Sequence, residues 1–132
     1  MKKLLIVAAI LMISVCKSYS QSNATSIRTR TSFNSDWKFI KGDNPAFKNV
    51  DFIDTQWRKL QLPHDWMIEG PFDKTNPSEA SSAYLPGGIG WYRKTFTLPD
   101  SLKSKKIFIQ FDGIYMNSEV WINGHFLGRY PY

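Results

Sequence analysis

Apolar and polar side chains alternate with a period of two along several short stretches of the chain. The clearest stretch is 107–112, where apolar residues occupy alternate positions, as in a half-buried strand. The alternating run at 57–62, which ends at Pro63, and the run at 91–98, which is rich in aromatic and β-branched residues, also favour strands. No stretch beyond residue 20 carries an apolar stripe with helical spacing. The pattern predicts an all-β fold.

A hairpin is predicted near the end of the sequence. Val120–Ile122 and His125–Leu127 flank an Asn123-Gly124 pair. Asn-Gly favours the two-residue turn in which both positions have positive φ. With the other runs this gives about five strands, whereas a jelly roll has about eight. We therefore expect a β-sandwich or jelly roll that is incomplete at its C-terminus.

Two stretches lack a regular period and are predicted to be loops. Turn-forming Gly, Asn and Pro residues occur at 41–54 and again, more densely, at 63–90. The second stretch also contains Trp66, Phe72 and Tyr84, which argue against disorder. Long ordered loops in compact domains are usually functional. We expect this loop to pack over one end of a sheet.

The first twenty residues have the features of a secretion signal. Two lysines precede the apolar run 4–15, which is shorter than the roughly 20 residues that span a bilayer. Small residues at Ser18 and Ser20 predict cleavage between Ser20 and Gln21. The alternative is a lipoprotein signal cleaved before Cys16, although Val15 is bulky at the preceding position. We expect an exported protein of the periplasm, cell surface or medium, which meets a membrane only if Cys16 is lipidated.

The predicted organisation is a signal peptide at 1–20, a polar flexible leader at 21–32 and one domain at 33–132. Cleavage after Ser20 removes the single cysteine, so a hydrophobic core and not disulfides must stabilise the domain. It also removes three lysines and lowers the net charge from +6 to +3, which weakens a nucleic-acid hypothesis.

Aromatic residues make up 15% of the chain, and all five tryptophans follow the predicted cleavage point. Most of them are expected in a β core. In an exported protein, one or two exposed aromatic rings beside polar groups would also suit the apolar face of a sugar ring. Both interpretations remain open from composition alone.

The sequence offers little support for catalysis or cofactor binding. With only His64 and His125 and no mature cysteine, neither a nucleophilic triad nor a zinc site is expected. The glycine-rich segment 87–90 precedes a strand, so it lacks the helix N-terminus of a phosphate site. Glycoside hydrolysis needs two facing carboxylates. Asp65 with Glu69 and Asp112 with Glu119 are candidates, but spacing does not establish a catalytic pair. We expect no cofactor and no metal.

Four motifs resemble the N-terminal sugar-binding domain of family 2 glycoside hydrolases, the bacterial β-galactosidases, β-glucuronidases and β-mannosidases. They are LPHDW at 62–66, GGIGWYRK at 87–94, FDGIY at 111–115 and VWINGHFLG at 120–128. The likeness runs from about Phe33 to Tyr132, and the versions at 64–66 and 87–94 are most similar to exported β-galactosidases. The resemblance implies a galactose-binding-like jelly-roll β-sandwich that precedes, and packs against, an immunoglobulin-like domain and a catalytic barrel absent from this chain.

The resemblance also implies how the domain contributes to function. The two catalytic glutamates of the family lie in the barrel, so no catalytic residue is assigned to this chain. In several members a loop of this domain reaches the barrel mouth, and His64, Asp65 and Trp66 are the candidates for binding a β-linked glycan there. The competing interpretation is structural, with Asp65 capping a turn and Trp66 covering the edge of the sheet.

Three functional hypotheses follow. The first is the N-terminal part of an exported retaining β-glycosidase, favouring β-galactosides and inactive without its barrel. The second is a stand-alone carbohydrate-binding module that folds cooperatively and binds sugar without hydrolysing it. The third, a structural or adhesive β domain, requires that the aromatic residues all be buried.

Overall fold

The computed structural model describes residues 28–132 except positions 77 and 79. The predicted signal peptide and most of the predicted leader lie outside these residues. Within them the chain forms β1 (Trp37–Lys41), β2 (Arg58–Leu60), β3 (Gly90–Arg93), β4 (Ser118–Ile122) and β5 (His125–Tyr130). The only helical turns in this part are short 3₁₀ segments at Pro45–Lys48, Met67–Glu69, Ala80–Ser82 and Asp100–Leu102. The predicted all-β class is confirmed, and no described helix is long and apolar enough to cross a membrane.

The first three strands form one antiparallel sheet in the order β2-β1-β3. Phe39 on the central strand lies opposite Arg58 on one side and Tyr92 on the other. Residues that lie opposite each other in neighbouring strands point to the same face of a sheet. Arg58, Phe39 and Tyr92 therefore form a row across one face, which we call the Phe39 face.

The next row of the Phe39 face is Lys41 opposite Gly90, since Lys41 follows Phe39 by two residues. Trp37 precedes Phe39 by two residues and points the same way. Trp37 and Phe39 are buried, with 9% and 7% of their surface exposed. This alternation explains why the short segment Trp37–Lys41 becomes the central strand.

The opposite face of the sheet carries Trp91 and packs against the segment between β1 and β2. The rings of Trp57 and Trp91 lie 5.0 Å and 5.7 Å from the ring of Phe47, both edge-on. Trp57 is the most buried of the three core residues, at 5% exposed. The predicted loop at 41–54 is therefore ordered by an aromatic cluster on this face.

A guanidinium group completes the packing on the Trp91 face. Arg93 donates hydrogen bonds to the backbone carbonyls of Phe47, Asn49 and Val50, at 2.9–3.0 Å. Its Nε also lies 3.3 Å from a carboxylate oxygen of Asp54. One side chain of β3 thus holds successive turns of the loop against the sheet.

The predicted hairpin is confirmed. Strands β4 and β5 pair antiparallel as a separate two-stranded sheet. Asn123 has φ 48° and Gly124 has φ 78°, as the two-residue turn requires. The turn chemistry is local, which is why the sequence pattern was sufficient to predict it.

The prediction of a strand at 107–112 is wrong. Its residues adopt no strand, and Phe108 is 82% exposed. A strand exists only when its backbone groups pair with a neighbour, and no described residue pairs with this segment. The runs 57–62 and 91–98 are also shorter than predicted, with pairing limited to Arg58–Leu60 and Gly90–Arg93.

Candidate functional site

The residues His64, Asp65 and Trp66 follow β2 and begin the long connection to β3. As predicted, the described part of this connection contains no strand. It packs on the Phe39 face of the sheet and not only over its end. His64 and Trp66 are half-buried and the intervening Asp65 is exposed, so alternate side chains of the segment point toward and away from the sheet.

His64 lies across the row formed by Arg58, Phe39 and Tyr92. Its ring centroid is 5.2 Å from that of Phe39. Its Nε2 lies 2.8 Å from Nη2 of Arg58, and its Nδ1 lies 2.7 Å from the hydroxyl of Tyr92. The imidazole therefore bridges β2 and β3 above the central strand, and its side chain is only 13% exposed.

Both ring nitrogens of His64 have hydrogen-bonding partners. Nε2 lies between Nη2 of Arg58, which only donates, and Oε1 of Glu69 at 3.0 Å, which only accepts. Nδ1 meets the Tyr92 hydroxyl, which can donate or accept. The ring is therefore held in either tautomer, and the Tyr92 hydroxyl also lies 3.4 Å from the backbone carbonyl of His64.

Glu69 contacts the Arg58 and His64 side chains through its carboxylate oxygens. Nη2 of Arg58 donates to Oε1 at 2.9 Å and to Oε2 at 2.8 Å. These hydrogen bonds are the main reason that the pKa of Glu69 lies below its ordinary value of 4.5. Nε2 of His64 is also 3.0 Å from Oε1, and a hydrogen bond between the two lowers the pKa of Glu69 further.

Tyr92 stays protonated under ordinary conditions. Burial, followed by the negative charges of Asp65 and Glu69, raises the pKa of its hydroxyl to about 12. The hydroxyl is thus a fixed neutral partner of His64. It is not a candidate general base.

Trp66 lies on the next row of the Phe39 face. Its indole stacks at 27° to the ring of Phe39, with centroids 6.4 Å apart, and Nζ of Lys41 is 4.9 Å from the indole centroid. A Cβ atom at Gly90 would be 2.7 Å from the indole nitrogen. The absence of a side chain at Gly90 therefore makes room for Trp66.

Asp65 uses one oxygen for local structure. Its Oδ1 accepts a hydrogen bond from the backbone N–H of Met67 at 2.9 Å, an Asx turn that leads into the 3₁₀ turn at Met67–Glu69. Among the described residues, Oδ2 of this exposed carboxylate has no hydrogen-bond partner. The structure thus contains a local turn contact of the kind expected under the structural interpretation, and it leaves one carboxylate oxygen available.

The sequence pattern singled out the three loop residues but not the partners that hold them. Arg58 and Tyr92 come from strands 34 positions apart, and only the register with Phe39 brings them together. Glu69 was considered as half of a catalytic pair with Asp65, but its two oxygens both bind Arg58. No described group of three or more His, Cys, Asp or Glu side chains could hold a metal ion.

Comparison with known proteins gives consistent matches. Residues 89–132 match the family model described as the galactose-binding domain of beta-galactosidase. The beta-galactosidase BoGH2A of Bacteroides ovatus is 54% identical over 114 residues, which cover 86% of this chain and 13% of that protein. A putative beta-glucuronidase of Formosa agariphila is 44% identical over 124 residues, covering 94% of this chain and 12% of that protein.

The fold is shared with solved structures. The crystal structure of a beta-glycosidase from Bacteroides vulgatus gives a TM-score of 0.73 at 48% identity, over 76% of this chain and 13% of that one. A family 2 glycosyl hydrolase from Bacteroides cellulosilyticus also gives 0.73, at 38% identity over 77% of this chain and 14% of that one. The chain thus spans about an eighth of the length of the curated relatives described above. It belongs to the family 2 glycoside hydrolases, as their N-terminal galactose-binding domain, and the catalytic domain is absent from it.

Proposed function

We propose that this chain is the sugar-binding domain of an exported retaining β-glycosidase that hydrolyses β-galactosides. The observation that carries the proposal is the 54% identity to a beta-galactosidase, which extends over 86% of the chain. Two beta-glucuronidases of Formosa agariphila, one of them putative, are 44% and 35% identical and two other beta-galactosidases are 33% and 34% identical, so the choice of β-galactosides rests on the first match. Hydrolysis itself is assigned to the rest of the protein, because the chain covers only 13% of that beta-galactosidase and the resemblance implies that the two catalytic glutamates lie in the barrel.

The contribution of this domain to substrate binding is assigned to the segment His64–Trp66. The exposed carboxylate of Asp65 offers Oδ2 to sugar hydroxyl groups, and hydrogen bonds to a charged acceptor are the strong ones. Trp66 offers the uncovered part of its half-buried indole to the apolar face of a sugar ring. His64 remains a candidate for the same site, and both of its ring nitrogens also contact protein groups, in Arg58 and Tyr92.

Activity measurements on two proteins test the proposal. The chain alone is expected to show no turnover of chromogenic β-galactoside or β-glucuronide. The protein encoded by the whole reading frame is expected to hydrolyse the β-galactoside with the higher kcat/KM. Turnover by the chain alone, or a preference for the glucuronide, would contradict the proposal. Saturable sugar binding by a cooperatively folded chain would support the stand-alone module instead.

Export is part of the proposal and rests on the signal features of residues 1–20. Mass spectrometry of the protein from the native host distinguishes the two forms of processing. A mature N-terminus at Gln21 is expected for the released enzyme. A lipid-modified N-terminal Cys16 would instead show that the domain is tethered to a membrane.

A further inference from the structure

We propose that Arg58 and Glu69 are positioning residues whose ion pair fixes the direction of Asp65 toward the sugar. This inference rests on the proposed function, since it assumes that Asp65 binds the substrate. Neither residue touches the substrate in this account. Both act through the segment 64–69, which carries Asp65 on its exposed side.

One guanidinium group, that of Arg58, contacts both ends of this segment. Nη2 of Arg58 is 2.8 Å from His64 at the start and 2.8 Å and 2.9 Å from the two Glu69 oxygens at the end. Arg58 itself is fixed on β2, and its guanidinium carbon lies 5.4 Å from the ring centroid of Phe39. A short segment held at both ends by one group has few conformations open to it.

Contacts within the segment transmit this restraint to Asp65. Met67 N donates to Oδ1 of Asp65, and Met67 belongs to the same 3₁₀ turn as Glu69. When Glu69 is held, the turn is held, and Oδ1 of Asp65 is kept on the backbone N–H of Met67. The other oxygen of this exposed side chain is left for the substrate. Orientation of a binding group before the substrate arrives improves affinity, because less conformational entropy is lost on binding.

The exposure of the ion pair supports a role in orientation over one in stability. The side chains of Arg58 and Glu69 are 51% and 42% exposed. Ion pairs this exposed contribute little to folding, since solvent screens them. The fold is therefore expected to survive their substitution, and the effect should appear in substrate affinity.

The test uses the whole enzyme and compares KM and kcat for a chromogenic β-galactoside. Asp65→Ala tests the sugar contact and is expected to raise KM roughly tenfold or more, the usual consequence of losing a hydrogen bond to a charged group. Glu69→Ala and Arg58→Met are expected to raise KM about threefold to tenfold with kcat within about twofold. Glu69→Gln keeps one acceptor oxygen, so its KM should rise less than that of Glu69→Ala.

Asp100→Asn is the matched control. It neutralises another exposed ion pair, Asp100 with Lys103 at 2.8 Å, in a part of the chain remote in sequence from the site. KM is expected to stay within error of the unmodified enzyme. If Asp100→Asn raised KM as much as Glu69→Gln, the effect would be one of surface charge and the inference would be overturned.

The pH dependence gives a second, independent readout. The pKa of Glu69 is lowered from 4.5, so the ion pair is present above that pH and is lost as the pH falls through the lowered value. The groups facing Glu69 are Arg58 and His64, with Tyr92 and Asp65 nearby. The ratio of KM in Glu69→Gln to KM in the unmodified enzyme should therefore approach one only when the pH falls below the lowered pKa of Glu69. Titration of the catalytic groups cancels in this ratio.

The outcomes separate the two proposals. If Asp65→Ala leaves KM unchanged, the sugar contact is wrong and the positioning role falls with it. If Asp65→Ala raises KM while Glu69→Ala, Glu69→Gln and Arg58→Met do not, only the positioning role is overturned. A KM ratio for Glu69→Gln that stays above one when the pH is lowered far enough to protonate Glu69 also overturns it.

Discussion

At the scale of single residues, the arrangement of the candidate site depends on two contacts made by rigid groups. Trp66 fits on the sheet because position 90 has no side chain, and His64 is held because both of its ring nitrogens meet hydrogen-bonding partners. Aromatic rings and a guanidinium fork have few ways to adjust. Small changes at these positions should therefore alter the loop without abolishing the sheet.

Gly90→Ala is expected to displace Trp66. The added Cβ would lie 2.7 Å from the indole nitrogen and 2.9 Å from a ring carbon of Phe39. Overpacking of this kind costs about 1–3 kcal/mol, so amide hydrogen exchange in residues 64–70 of the whole enzyme should accelerate about fivefold to a hundredfold.

Gly113→Ala provides the control, since no heavy atom lies within 4 Å of the added Cβ. Exchange at 64–70 should be unchanged in this variant. Equal exchange in Gly90→Ala and the unmodified enzyme would show that Gly90 does not make room for Trp66.

The residues that bind His64 illustrate what the sequence could and could not predict at this scale. His64, Asp65 and Trp66 are contiguous and belong to a motif of the family, so the resemblance identified them. Arg58, Tyr92 and Glu69 became visible only with the register of the three strands. Nothing in their spacing of 11 and 34 positions indicates that they meet.

At the scale of elements, structure that depends on local signals was predicted correctly, and strand pairing between distant segments was not. The hairpin is determined by the Asn123-Gly124 turn and the few residues on either side of it. The run at 107–112 has an equally clear alternation, yet it forms no strand because pairing depends on a partner elsewhere in the fold. The loop at 41–54 was predicted from its turn formers, but its attachment to the sheet through Arg93 was not.

Arg93→Lys tests that attachment. A lysine cannot reproduce the guanidinium fork that reaches the carbonyls of Phe47, Asn49 and Val50. The loop should open more often, and trypsin should cleave after the exposed Lys48 roughly tenfold to a hundredfold faster in the whole enzyme.

Arg129→Lys is the matched substitution, because the side chain of Arg129 has one hydrogen bond within the described part of the chain, with Asn117 at 3.1 Å. It should leave cleavage after Lys48 unchanged. If both variants were cleaved at the rate of the unmodified enzyme, the hydrogen bonds of Arg93 would not be what holds the loop.

At the scale of the whole molecule, the described chain buries few residues and exposes many apolar ones. Only Trp37, Phe39 and Trp57 are buried among the described hydrophobic residues, while Phe108 and Tyr115 are 82% and 83% exposed. Contiguous exposed apolar surface usually marks a contact with another protein surface. This favours a domain that works within a larger glycosidase over a stand-alone binding module.

The central claim is that the segment His64–Trp66, held on the Phe39 face, contacts the sugar substrate. The most direct measurement is a crystal structure of the whole enzyme with a non-hydrolysed β-galactoside bound. The account predicts Oδ2 of Asp65 within about 3.2 Å of a sugar hydroxyl, with the Trp66 indole in van der Waals contact with the ring. A bound sugar that touches neither residue would contradict it.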